Sequence, residues 1–144
     1  MINSESKTIA VDFDGTIVEH AYPEIGEEMM FAFATLKQLQ NKGHLLILWT
    51  YRHGKQLEDA VKYCKENGVV FYAVNESFEG ETTGVDGSRK VNADIFIDDR
   101  NVGGFLGWAA IWQSLHPDGE EFIHQLKNEA AHLNFKKRKK FRFW

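Results

Sequence analysis

A short run of strand-forming residues that stops on two carboxylates constrains this chain more than any other feature: KTIAVDFDGTI, residues 7–17. Thr8, Ile9, Ala10, Val11 and Phe13 favour a buried strand, and Gly15 gives the backbone the freedom to leave a sheet just after Asp12 and Asp14. Acids two residues apart share one face of a regular strand. Like charges that close raise each other's pKa unless a metal, a shared proton or solvent stands between them. Ligands of open α/β sheets collect outside the carboxyl ends of the strands, so the stretch predicts a sheet and the place of its chemistry.

The remaining elements follow in alternation. Residues 18–26, VEHAYPEIG, read as a loop or tight hairpin hanging over the aspartates. Met29, Phe33, Leu36 and Leu39 have helical spacing and predict a helix over 27–41, stopped by Gly43. The continuous apolar run LLILW at 45–49 reads as a strand buried on both faces, ending at Thr50. Leu57, Ala60, Val61 and Cys64 predict a helix over 55–67, followed by a strand at 69–74. Residues 75–90 form an excursion too small for a folded cap. A strand at 93–97 then ends in Asp98 and Asp99, a helix spans 105–115, and Asp118 with Glu121 resembles the capping box of a last helix carrying Phe122, Leu126, Ala130 and Leu133.

Strands placed between helices favour a three-layer α/β/α fold with a mainly parallel sheet covered on both faces. Such a sheet brings the polar tips of three strands to one edge: Asp12 and Asp14, Thr50, then Asp98 and Asp99.

At 144 residues and 43% hydrophobic content, one domain over 1–135 can bury a proper core. The N-terminus lacks the apolar core of a signal peptide, no run reaches the roughly 18 residues of a membrane span, and the single cysteine forms no internal disulfide, so the chain reads as cytoplasmic. Cys64 is expected as a buried structural thiol. The net charge of −4 conceals a basic tail, KKRKKFRFW at 136–144, which carries six of the seventeen basic residues. Without it eleven basic residues face twenty-one acidic ones, about −10, and such a body is no nucleic-acid surface.

Carboxylates, a hydroxyl and a nearby lysine suit a phosphate ester bound through a hard divalent cation, since Mg2+ takes oxygen ligands and uses one or two carboxylates plus substrate phosphate. DFDGT at 12–16, the threonine after LLILW, Lys90, and IDD at 97–99 resemble, in order, the four motifs of the haloacid dehalogenase-like (HAD) superfamily in its phosphatase branch. The resemblance spans residues 7 to about 104 and implies a Rossmann-like fold without a large cap and Mg2+-dependent hydrolysis of a phosphate monoester through an aspartyl-phosphate. It implies Asp12 as nucleophile and metal ligand, and Asp14 as general acid and base with a metal-binding backbone carbonyl. Thr50 then holds a phosphoryl oxygen, Lys90 neutralises charge, and Asp98 with Asp99 completes the metal site.

Lys90 lies only eight residues before Asp98, so Lys55 or Arg52 is the alternative source of positive charge. Tyr51, Arg52, His53 and Arg100 follow strand ends and are either substrate contacts or solvated loop residues; the histidines, His20 among them, show no metal-ligand spacing and read as surface or packing residues. The expected partner is a phosphorylated small molecule or macromolecule. With both excursions short, the site either takes a bulky substrate or borrows a lid from a second subunit of a homo-oligomer. Two rival classes are a non-catalytic receiver-like phospho-acceptor module, which opens on an acid pair rather than on DxDGT, and a nucleic-acid-associated protein acting through the tail.

Overall fold

The computed structural model describes residues 6–81, 89–117 and Asn128. Its contacts divide the chain into two compact units, residues 1–106 and 107–144, and the whole sheet lies in the first.

β1 (Thr8–Val11) is central, with parallel neighbours on both sides: β2 (Leu45–Leu48) and β4 (Ile95–Ile97). β3 (Ala73–Val74) pairs with β2, giving the all-parallel order β3-β2-β1-β4. The protein is therefore a Rossmann-like α/β fold. The chain winds from β1 through β2 to β3 in one direction and then adds β4 on the other side of β1. That reversal opens a crevice at the carboxyl ends of β1 and β4, where ligands of such sheets bind.

Alternation explains why both faces of β1 and β2 are apolar. In register, Ala10 and Ile47 stand beside Ala73 and Phe96, and with Val91 and Trp49 they build one core layer. Ile9, Val11, Leu46 and Leu48 point the other way and are also fully buried. Each such Ile or Leu contributes about 1.5–3 kcal/mol relative to exposure. α1 (Ala32–Asn41) packs against β2, and Tyr63 of α2 (Gly54–Glu66) meets Phe33 of α1 and Phe13 edge-on. Cys64 is buried beside Tyr63, and burial pushes its thiol up to about 12, which leaves it no nucleophilic role.

Three boundaries differ from the sequence reading by three residues or more. α1 begins at Ala32 rather than 27 because residues 27–29 belong to a hairpin, where Glu19 N–H donates to Glu27 O, Val18 opposes Glu28, and Met29 N–H donates to Ile17 O. β3 keeps only two residues of the expected 69–74, since it is an edge strand whose Val70 and Tyr72 are exposed. In the second unit, α3 (Trp108–Leu115) starts three residues later than expected, after Gly107. Residues 82–88 of the excursion, the helix expected from Asp118 onward (Asn128 apart) and the basic tail lie outside the described residues. Among the described residues no helix is long and apolar enough to cross a membrane.

Candidate functional site

β1 and β4 deliver the acids. Asp12 N–H donates to Ile97 O at 3.0 Å, which fixes the strand ends side by side. Behind Asp12 the chain turns at once: the N–H groups of Thr16, Ile17 and Val18 all converge on Phe13 O, and Gly15 N–H donates to Val18 O. Gly15 has φ +82, and a Cβ built on it would collide with the His20 imidazole and the Asp99 carboxylate, so glycine is required here for conformation and for space.

The turn leaves Asp12, Asp98 and Asp99 with one carboxylate oxygen each inside a 4.8 Å group. Burial, and then the charge of Asp98, pushes the Asp12 pKa up to about 7. Asp99 goes the other way: burial works to raise it, but hydrogen bonds with His20, Asp12 and Asp98 outweigh burial and lower it. His20 Nε2 lies 2.7 Å from Asp99 Oδ2 and must donate, because an ionised carboxylate only accepts. Asp99 Oδ1 is buried and no donor among the described residues reaches it. Either a proton held within the carboxylate group or a cation satisfies that oxygen. A hard divalent ion fits this donor set, which offers oxygen ligands alone.

Asp14 stands apart from that group, held by Arg52. Arg52 is 1% exposed and spends its guanidinium on five acceptors: Nε on Asp14 Oδ2 and one terminal nitrogen on Asp14 Oδ1, both at 2.8 Å, with Glu24 O, Pro23 O and Gln56 O taking the rest. The same group lies 5.0 Å from the Phe13 ring centroid and 5.1 Å from that of Tyr22. One side chain thus joins the hairpin, the start of α2 and Asp14. Thr50 stands at the end of β2, its hydroxyl accepting Arg52 N–H and its own N–H donating to Asn75 Oδ1. Asn75, in the left-handed region at φ 54, ties the end of β3 to the same edge.

Asp12, Asp14, Thr50 and Asp98 line a cleft of about 550 Å³ together with His20, Tyr22, Trp49, Tyr51 and Arg100. The structure brings together the acids and the hydroxyl that the sequence singled out. Lys90 is exposed, with its ammonium 5.0 Å from the Phe96 ring centroid, and is not among the cleft-lining residues. Lys55 is exposed near Asp59, and His53 precedes α2 outside the lining. Sequence reasoning missed His20, whose contact with Asp99 spans 79 positions, and Asn75. Only the left-handed tolerance of asparagine at a strand end hinted at the latter.

Fold and site together define an α/β protein with a carboxylate cluster at the switch point of a parallel sheet. A solved structure of a conserved protein from Bacteroides thetaiotaomicron is similar to it, with 52% identity over 76% of this chain and 89% of that chain and a TM-score of 0.72. At that identity and coverage the chain belongs to the family of that conserved Bacteroides protein. No protein-family model and no curated protein matches it.

Proposed function

We propose that the protein is a Mg2+-dependent phosphatase of the haloacid dehalogenase-like type, hydrolysing a phosphate monoester through an aspartyl-phosphate on Asp12. The observation that carries this reading is the meeting of Asp12, Asp98 and Asp99 within 4.8 Å, with Asp12 and Asp98 lining one cleft together with Asp14 and Thr50. Asp12, Asp98 and Asp99 would hold the ion, which when bound offsets their mutual repulsion and polarises the phosphoryl group.

A carboxylate oxygen of Asp12 attacks phosphorus and the bond from phosphorus to the leaving oxygen breaks, with Asp14 supplying the proton that oxygen needs. Water then attacks the aspartyl-phosphate, Asp14 takes its proton, and inorganic phosphate leaves with Asp12 restored. Arg52 holds the Asp14 carboxyl at one angle through both steps, and each Asp14 oxygen keeps a second lone pair for the proton. Thr50 Oγ1 would donate its proton to a phosphoryl oxygen, since the Arg52 N–H takes one of its lone pairs and leaves the hydroxyl proton to give.

The test is a panel of phosphate esters with purified protein, in Mg2+ and in chelator. Release of phosphate that requires Mg2+ and disappears in Asp12→Asn supports the reading. Absence of turnover on every ester, or turnover undiminished in Asp12→Asn, overturns it.

A further inference from the structure

The mouth of the cleft is walled by aromatic rings that the core does not use. Tyr51 is 86% exposed and Tyr22 46% exposed, and both line the cleft. Their rings meet edge-on, centroids 6.4 Å apart at 72°, so the contact between them covers an edge and not both faces. Tyr51 gains little from burial at that exposure.

Tyr22 is nevertheless fixed. Its ring lies under the Arg52 guanidinium at 5.1 Å, and Arg52 also bonds the carbonyls of Pro23 and Glu24, the two residues that follow it. An exposed ring held rigid at the rim of a polar cleft is a preorganised surface, and preorganisation lowers the ordering cost of binding. The cleft volume falls within the roughly 300–1,000 Å³ of small-molecule sites. Its lining combines the carboxyls of Asp12, Asp14 and Asp98 with the exposed rings of Tyr22 and Tyr51, so the two kinds of wall ask for different parts of one ligand.

We propose that Tyr51 and Tyr22 form a stacking platform for the leaving group, and that the substrate is a phosphate monoester carrying a planar ring, of the nucleoside monophosphate class. This rests on the phosphatase reading, which places the phosphoryl group at the acidic end. The ring then lies against Tyr51.

The experiment is calorimetric titration of the full chain with Mg2+ present, carrying Asp12→Asn so that no ester is consumed. The probes are adenosine 5′-monophosphate, glucose 6-phosphate and glycerol phosphate. The nucleotide should bind tightest. Adding Tyr51→Ala should lower the preference for nucleotide over glycerol phosphate at least about fivefold, the lower end for a base stacked on an aromatic side chain, and Tyr51→Phe should keep it. Equal binding of nucleotide and glycerol phosphate, equal binding of the sugar phosphate, or a preference that survives Tyr51→Ala overturns the platform. Turnover of the same esters by the Asp12 protein is read separately: selective, Tyr51-dependent binding without phosphate release would sink the phosphatase and leave the platform standing. If no ester binds, both fall.

Discussion

Arg52 grips Asp14 with two parallel 2.8 Å hydrogen bonds from a guanidinium that is almost wholly removed from water. A fork-to-fork pair of this kind fixes direction as well as charge, because the planar donor set matches the carboxylate only in one plane. The remaining donors reach three backbone carbonyls, so no N–H of the guanidinium is left without an acceptor. A residue with these attachments serves as a strut for Asp14 and the hairpin, not as a cation for substrate.

Arg52→Ala should therefore destabilise the protein by about 3–5 kcal/mol, the usual cost of removing one partner of a buried pair. Arg52→Lys keeps the charge but loses the fork, and should fall between that variant and the wild type. Urea denaturation measures both. A loss under about 1 kcal/mol for Arg52→Ala, the level of a surface pair, would contradict the strut.

The acids and the hydroxyl were legible because each ends a strand, and a parallel sheet gathers strand ends regardless of the distance between them in the chain. The strut was not legible. An arginine two residues beyond a strand reads as a solvated loop residue, and its partners at positions 14, 23 and 24 become neighbours only once the hairpin folds back. The hairpin also hid the true start of α1: Met29 has helical spacing with Phe33, yet its N–H is already committed to Ile17 O. Local spacing cannot register a competing long-range bond.

The carboxylate group should make stability depend on divalent metal. On the proposed reading Mg2+ would bind the folded chain and not the unfolded one, so saturation at about 100 times its dissociation constant should add about 2.7 kcal/mol and raise the melting temperature. Asp98→Ala should fold, show a smaller melting shift with Mg2+, and lose activity. A full Mg2+ response in Asp98→Ala would remove that residue from the site.

The Asp12 carboxyl gives the metal-free protein a specific pH dependence. Its pKa is about 7 when folded and an ordinary 3.8 when unfolded, so between these values the folded state holds a proton that the unfolded chain has released. Stability from this group is complete below about pH 4 and is lost as pH rises through about 7. In chelator, the melting temperature of wild type should thus fall from pH 5 to pH 8 by more than that of Asp12→Asn. Mg2+ held by Asp12 would require the carboxylate and displace the proton, so its protective effect should be larger at pH 8 than at pH 5. Parallel pH profiles for the two proteins would rule out the raised value.

Arg100 and Lys90 are both candidates for a substrate cation, and they stand in different surroundings. Arg100 lines the cleft and its N–H is bonded to Asp98 Oδ1, whereas Lys90 lies over Phe96. Arg100→Ala should raise KM for phosphate esters about tenfold or more, as expected when a charged hydrogen bond of about 1.5–3 kcal/mol is lost. Lys90→Ala should change kcat/KM by less than Arg100→Ala does. The opposite ranking would show that Lys90 swings into the cleft during turnover.

The two aspartates of the opening stretch should fail differently, because the proposed mechanism uses them at different atoms. In it Asp12 attacks phosphorus, so Asp12→Asn should abolish turnover while substrate still binds. Asp14 moves protons, a contribution of about 10²- to 10⁴-fold, so Asp14→Asn should be slow rather than dead. That variant also leaves the buried Arg52 facing a neutral amide, so its stability must be measured beside its rate. Poor leaving groups need protonation and should suffer most. An activated aryl phosphate should recover part of the first step, while hydrolysis of the aspartyl-phosphate remains slow and the intermediate accumulates. Mass spectrometry of Asp14→Asn after brief exposure to an aryl phosphate should then find phosphate on Asp12; phosphate on Asp14 in the Asp12→Asn protein would exchange the two roles.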